Sequence, residues 1–229
     1  MKKYKMSKAV LTLCIIIMYC MQANAQSAKE IVSSETLKIT WLGMDFSKMK
    51  YIGVLPTSTG GGMYGGATSP FVLKDQVKNI NEVFVAEMDK KYRLKEAISK
   101  KELGYNLKYA KQWNANLERE QVIEETSSNL GAQWTEEDLK KIVSRYQFEN
   151  DVSGVGLIFV WERLNKTAEE GTVWVTFINT ETKEIILTER MIGKPRGFGF
   201  KNYWLGATLE VIKEIDGRQY KKWKKKYGV

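Results

Sequence analysis

The chain has 229 residues, with 36 Lys or Arg, 27 Asp or Glu, a formal charge of +9, two Cys and no His. With 43% hydrophobic residues its composition is globular, not disordered or collagen-like. The length suits a leader plus one domain, or two small ones. The absence of His excludes Ser-His-Asp and Cys-His catalysis, and it makes zinc, haem and copper sites poor candidates.

The first 25 residues have the layout of a secretory signal peptide. Lys2, Lys3, Lys5 and Lys8 make a positive start without an acid. Residues 9–21 (AVLTLCIIIMYCM) form an apolar run, and Ala23-Asn24-Ala25 is an A-x-A cleavage site. The run is about thirteen residues long, short of the roughly 20 that a spanning helix needs. Cleavage after Ala25 is expected, giving an exported, periplasmic or envelope-associated protein. A lipoprotein reading through Cys20 is disfavoured, because Ile17-Met18-Tyr19 does not resemble a lipobox. Both cysteines, Cys14 and Cys20, leave with the leader, so the mature chain offers neither a thiol nucleophile nor a disulfide. What remains for chemistry is carboxylate, Lys, Tyr, Ser, Thr and Arg.

The charge is local. Besides the leader, Arg218, Lys221, Lys222, Lys224, Lys225 and Lys226 concentrate it in a tail without acids, and the body between is close to neutral. Nucleic acid is therefore not the expected partner.

In chain order, residues 26–35 read as a loose entry segment and residues 37–46 (LKITWLGMDF) as a buried strand ending at Asp45. Residues 50–55 form a second short apolar run. Residues 56–70 (PTSTGGGMYGGATSP) follow as a long loop around Tyr64. Ser69-Pro70 is a helix start, and Leu73, Val77, Ile80, Phe84 and Met88 place one apolar stripe on that helix. A strand is expected over residues 105–109 and a helix over 117–125. The TEED run at 135–138 predicts a capping box opening a helix to about Tyr146. Residues 154–163 (GVGLIFVWER) read as a core strand, and 172–178 with 184–191 as a hairpin. A glycine-rich connection over 193–200 leads to a helix over 202–215, broken by Asp216-Gly217 before a short basic helix. The expectation is one mixed α/β (α+β) domain over 36–217, a mixed sheet with a C-terminal antiparallel meander flanked by helices. Residues 218–229 form its basic, aromatic tail.

The candidate sites divide between structural and functional readings. Arg196-Gly197-Phe198-Gly199-Phe200-Lys201-Asn202-Tyr203 nearly reproduces an RNA-recognition signature but carries Lys201 where an aliphatic residue belongs. It also leads into a helix rather than lying on a central strand. The structural reading makes Phe198 and Phe200 core plugs; the functional one makes Arg196 and Asn202 part of an anion or ligand site. The loop around Tyr64 is no P-loop, since no Gly-Lys-Ser/Thr follows its glycines, and reads as a surface loop or a partner-binding lid. Asp45 either lines a cleft or caps the next turn. Glu136, Glu137 and Asp138 suit a helix's first turn. In the tail, Tyr220, Trp223 and Tyr227 share one helical face. Tyr220, Lys221, Lys222, Trp223, Lys224 and Lys225 could together contact an anionic membrane surface or envelope polymer. Alternatively the aromatics pack back on the domain and leave solvated lysines.

Two runs carry a resemblance: Trp41-Leu42-Gly43-Met44-Asp45-Phe46-Ser47, and Gly197-Phe198-Gly199-Phe200-Lys201-Asn202-Tyr203-Trp204. With them the chain resembles secreted proteins of Bacteroidetes-type bacteria that share a D-F-S strand end and a G-F-G-x-[KR]-N-Y-W turn into a helix. The resemblance covers roughly residues 36–216 and implies no activity or catalytic residue. At fold level the element order is also similar to periplasmic accessory domains of the CsgG and TolB N-terminal type.

The expected function is a non-enzymatic binding or accessory module of the cell envelope, with no cofactor or metal. Its partner would be an envelope protein, an anionic envelope polymer or a membrane surface. The alternatives are a carboxylate-based hydrolase, for which Asp45 is the one nominee, and a self-assembling structural subunit.

Overall fold

The computed structural model describes residues 27–53, 73–74, 77–117, 122–123 and 133–229. The elements in order are α1 (Ala28–Ser33), β1 (Ile39–Asp45), β2 (Lys50–Ile52) and α2 (Ile80–Glu87), which runs on through a π turn at Met88–Tyr92. Next come α3 (Leu94–Ala97), β3 (Leu103–Tyr105), α4 (Lys108–Asn114), β4 (Val122–Ile123) and α5 (Glu136–Ser144). The chain finishes with β5 (Val155–Asn165), β6 (Glu170–Asn179), β7 (Ile185–Gly193) and α6 (Phe200–Glu214). A π turn at Ile215–Gln219 then leads into α7 (Tyr220–Lys226). The fold is mixed α/β, as expected: one mixed sheet flanked by helices.

β5 is the hub of the sheet. Along one edge it pairs with β6, which pairs with β7, giving the expected antiparallel meander. Along the other edge it pairs in parallel with β1 over its first half and with β2 over its second. β3 and β4 pair in parallel with β1 and β2. β1 and β2 thus act as one broken strand. Asp45 lies opposite Val160 and Lys50 opposite Arg163, so the broken strand spends two residues more than β5 between these points. The excess forms a turn at Phe46–Met49, closed by the Met49 N–H donating to the Phe46 carbonyl at 3.1 Å. β5 is irregular at the same level: Trp161 faces Val173 and Arg163 faces Thr172, leaving Glu162 as a bulge.

Alternation along the strands builds two cores. Val155, Leu157, Phe159 and Trp161 join Val173, Val175 and Phe177 on one face, beneath α2 and α6. Ile158 and Val160 join Trp174 and Ile178 on the other, beneath α5. The larger core is aromatic: Trp41 lies 5.1 Å from Phe84 and meets Phe159 edge-on at 4.9 Å. Each such buried ring is worth on the order of 2–3 kcal/mol of burial. Leu73, Val77, Ile80, Phe84 and Met88 are all buried in it, as their spacing predicts. The Ser69-Pro70 helix start lies outside the described residues.

Two asparagines finish the outer edge of β1. β3 covers only Ile39–Trp41. Beyond it, the Asn81 side chain accepts from the Met44 N–H at 2.7 Å and donates to the Met44 carbonyl at 3.0 Å. The Asn114 side chain accepts from the Phe46 N–H at 2.7 Å and also donates to the Met44 carbonyl, at 2.9 Å. These amides take the place of a neighbouring strand's backbone, pairing the Met44 N–H and carbonyl and the Phe46 N–H. Gly43, at φ +98°, lets the strand bend toward Asn81.

Several expectations change. Residues 28–33 are helical, capped by Ser27 and anchored by buried Ile31 and Val32, not loose. The strand near 105 ends at Tyr105 and Tyr109 is already in α4; β4 stands where a helix was expected over 117–125. Asp216-Gly217 does not break the last helix, because the π turn takes them in and carries the chain on to α7. The capping box forms as read: the Thr135 N–H donates to Asp138 Oδ2 at 3.0 Å and the Asp138 N–H to Thr135 Oγ1 at 3.3 Å.

Candidate functional site

The polar centre of the molecule lies at the strand break, on the α5 face. Asp45 is only 1% exposed. Its Oδ1 accepts the Ser47 N–H at 2.7 Å, which caps the turn that interrupts the strand. Its Oδ2 accepts the Tyr146 hydroxyl at 2.6 Å and faces the Arg145 Nη2 at 3.5 Å. Arg145 is itself fixed: Nη2 donates to Ser47 Oγ at 3.0 Å, Nε donates to the Ile142 carbonyl at 3.2 Å, and the guanidinium lies 4.3 Å from the Trp113 ring centre. Burial, reinforced by the adjacent Asp45 charge, holds the Tyr146 hydroxyl well above the ordinary tyrosine range.

A second acid lies beside it. Glu162 is also 1% exposed. Its Oε2 accepts the Trp174 indole N–H and the Arg190 Nε, both at 2.9 Å, and its Oε1 accepts Arg190 Nη2 at 3.2 Å. This is a bidentate, charge-assisted pair, the strong form of the contact. Sequence reading missed Glu162 and Arg190. The available signal was an acid inside the apolar run GLIFVWER facing a cationic residue two strands away. The register places Val160, Trp174 and Arg190 in one row across the sheet.

Chemically, this arrangement ties both acids into the scaffold. Each of the four carboxylate oxygens accepts at least one donor inside the fold. A general acid or base needs a free approach to a substrate proton, and among the described residues both acids are 1% exposed. The hydrolase nominee, Asp45, thus has a geometric account in the strand break itself.

The other candidates lie apart. Arg196 and Asn202 are exposed and flank the entry to α6, on the sheet face opposite the Asp45 side chain. The entry turn is firmly seated. The Arg196 N–H donates to the Tyr203 carbonyl at 3.2 Å, and a Cβ on Gly206 would run into the Arg196 carbonyl oxygen. Phe200 is buried against Tyr51 and Trp204, as a core plug should be. Phe198 is not a plug: it is 95% exposed. Gly197 and Gly199, at φ +125° and +76°, turn the backbone so that its side chain projects into solvent. Tyr64 lies outside the described residues.

In the last helix the structure separates what the sequence grouped as one contact. Tyr220 and Trp223 are buried. The Tyr220 hydroxyl donates to the Val32 carbonyl at 3.1 Å, and the Trp223 indole N–H donates to Glu189 at 3.2 Å. Trp223 also meets Phe177 edge-on at 6.0 Å. As surface contacts these two residues are corrected: their rings belong to the core, joining α7 to α1 and the sheet. Lys221, Lys222 and Lys225 stay exposed, and Lys224 is half-buried with its amine 5.5 Å from the Tyr220 ring centre.

Among the described residues no group of three or more acidic, Cys or His side chains is set to hold a metal. Nor is any helix there long and apolar enough to cross a membrane. No family model and no curated protein matches this chain.

Proposed function

We propose that this protein is an exported envelope component that acts by binding a partner rather than by catalysis. The observation that carries this reading is Phe198, a large aromatic almost wholly in water on a turn whose backbone is clamped to α6. A preorganised, protruding aromatic side chain is the kind of anchor that fills a partner's pocket without paying to become ordered. Arg196 and Lys194 are exposed beside it in the chain, so the fitting partner is a protein with an apolar slot edged by acids. The leader-like residues 1–25 support export, and the occupied state of Asp45 and Glu162 supports a non-catalytic role.

The test replaces Phe198 by a photo-crosslinking residue in the native host. The expected result is an adduct of one defined size in the envelope fraction, lost in an Arg196→Glu background. Crosslinking to no partner, or hydrolytic activity abolished by a still-folded Asp45→Asn variant, would overturn the proposal.

A further inference from the structure

Ion pairing along the last helical stretch stops abruptly. Lys213 pairs with Glu210 at 3.0 Å and Arg218 with Glu214 at 2.6 Å. Elsewhere Lys91, Lys108, Lys111, Lys140 and Lys141 also have acidic partners. Beyond Arg218, none of Lys221, Lys222, Lys225 or Lys226 forms an ion pair among the described residues, and all four are exposed. At about 100° per residue they cover one continuous arc of roughly 140° around α7. Buried Tyr220 and Trp223 hold the opposite side against the core, so the arc is fixed in orientation. α1, which packs beside α7, adds exposed Lys29 and Glu30, one charge of each sign.

We infer that this lysine arc docks the protein on an anionic lipid bilayer by electrostatics alone. This rests on the reading of the chain as an exported binding protein and names a second surface for it. Charge complementarity selects the occupant. Lysine is depleted in protein–protein interfaces, where arginine and aromatics do the anchoring. Base stacking on a nucleic acid needs exposed rings, and the rings of α7 are buried. A headgroup layer needs only point charges spread along an exposed face, which these lysines provide. Since the aromatics are committed to the core, the helix lies on the headgroups without inserting. The attachment is therefore reversible and sensitive to salt.

The experiment uses the protein purified from its own host, in the processed form found there. It is sedimented with phosphatidylcholine vesicles, with and without phosphatidylglycerol, at low and high salt. We expect binding to the anionic vesicles alone, at least tenfold weaker at about 0.5 M salt than at about 0.05 M. A variant with Lys221→Glu, Lys222→Glu, Lys225→Glu and Lys226→Glu should bind about a hundredfold more weakly or worse, with an unchanged melting temperature. The corresponding four Lys→Arg changes should retain binding. Equal binding to neutral vesicles, binding that survives charge reversal, or binding to DNA or heparin but not to vesicles would overturn the inference. Loss of vesicle binding with Phe198 crosslinking intact defeats this inference alone; the reverse result defeats only the Phe198 reading.

Discussion

Asp45 and Glu162 lie on the same sheet face and on adjacent strands, Asp45 opposite Val160 and Glu162 two residues further along β5. Each stands where strand register is broken, and each has an arginine of its own. A buried carboxylate without a partner is costly, and each of these has one. Arg145 and Arg190, both partly open to water, let the acids remain inside the fold while the cations keep some solvation. Such buried pairs add little net stability over an apolar replacement, but losing one partner alone is costly.

Removing one member of such a pair should be costly. Glu162→Gln leaves Arg190 without a countercharge and is expected to destabilise the domain by about 3 kcal/mol. Arg190→Met should cost a similar amount. The double variant should cost clearly less than the sum, because the surviving charge is then gone. Urea denaturation of the four proteins checks this; additive losses would show that the two side chains act independently.

Asn81 replaces a missing strand, and a shorter side chain cannot. Asn81→Ala removes both contacts to the Met44 backbone in a buried setting, with an expected loss of about 2–4 kcal/mol. Asn81→Gln should not restore it, since one more methylene moves the amide out of register with Met44. Hydrogen exchange at the Met44 amide is the direct readout, and it should accelerate in both variants.

Gly206 lies inside α6, where alanine normally favours helix by about 1 kcal/mol. Here the substitution should destabilise instead, by about 1–3 kcal/mol, because the new methyl group meets the backbone of Arg196 rather than a side chain that can yield. Gly217, with open space around the position of a Cβ, is the control: Gly217→Ala should be neutral or stabilising. Thermal melting of the pair separates packing from propensity.

Lys100 gives the fold a signature in alkaline pH. It is 5% exposed, and its amine donates to the Ile31 carbonyl at 2.7 Å and the Ile98 carbonyl at 3.2 Å, 3.4 Å from the Tyr220 hydroxyl. Burial, with repulsion from Lys224, lowers its pKa to about 8 against an ordinary 10.5; Glu35 opposes the shift. Between these values the unfolded chain binds more protons than the folded one, so this group's contribution to stability rises with pH. Below about pH 8 both states are protonated and the penalty is constant. The melting temperature relative to Lys100→Met should therefore climb from about pH 8 to 10 and stay level below pH 8. A flat difference across that range would show that the carbonyl contacts keep the amine fully charged.

Much of the scaffold was legible in residue order. The stripe from Leu73 to Met88, the Thr135 capping box and the meander from β5 to β7 each rest on local periodicity or chemistry within a few residues. The elements read less well were short ones whose state depends on a distant neighbour. β4 exists because Val122 and Ile123 lie against β2, and α1 holds because Ile31 and Val32 reach the core. Local propensity carries little of that information.

Sequence alone determined the classes of chemistry open to the chain, through its lack of His and the confinement of both Cys to residues 1–25, and where its charge is concentrated. It also determined the alternation that sorts strand residues into two cores. Only the tertiary structure decided what the polar and aromatic residues do. Asp45 and Glu162 became neighbours through parallel pairing of strands more than a hundred residues apart in the chain. Phe198 and Phe200, two positions apart, went to opposite fates because glycines at positive φ on either side of Phe198 turn the backbone there. Tyr220 and Trp223 parted from their lysines because the core had room for rings and water for charges. These outcomes depend on long-range register and on competition for burial, which no local window of sequence contains.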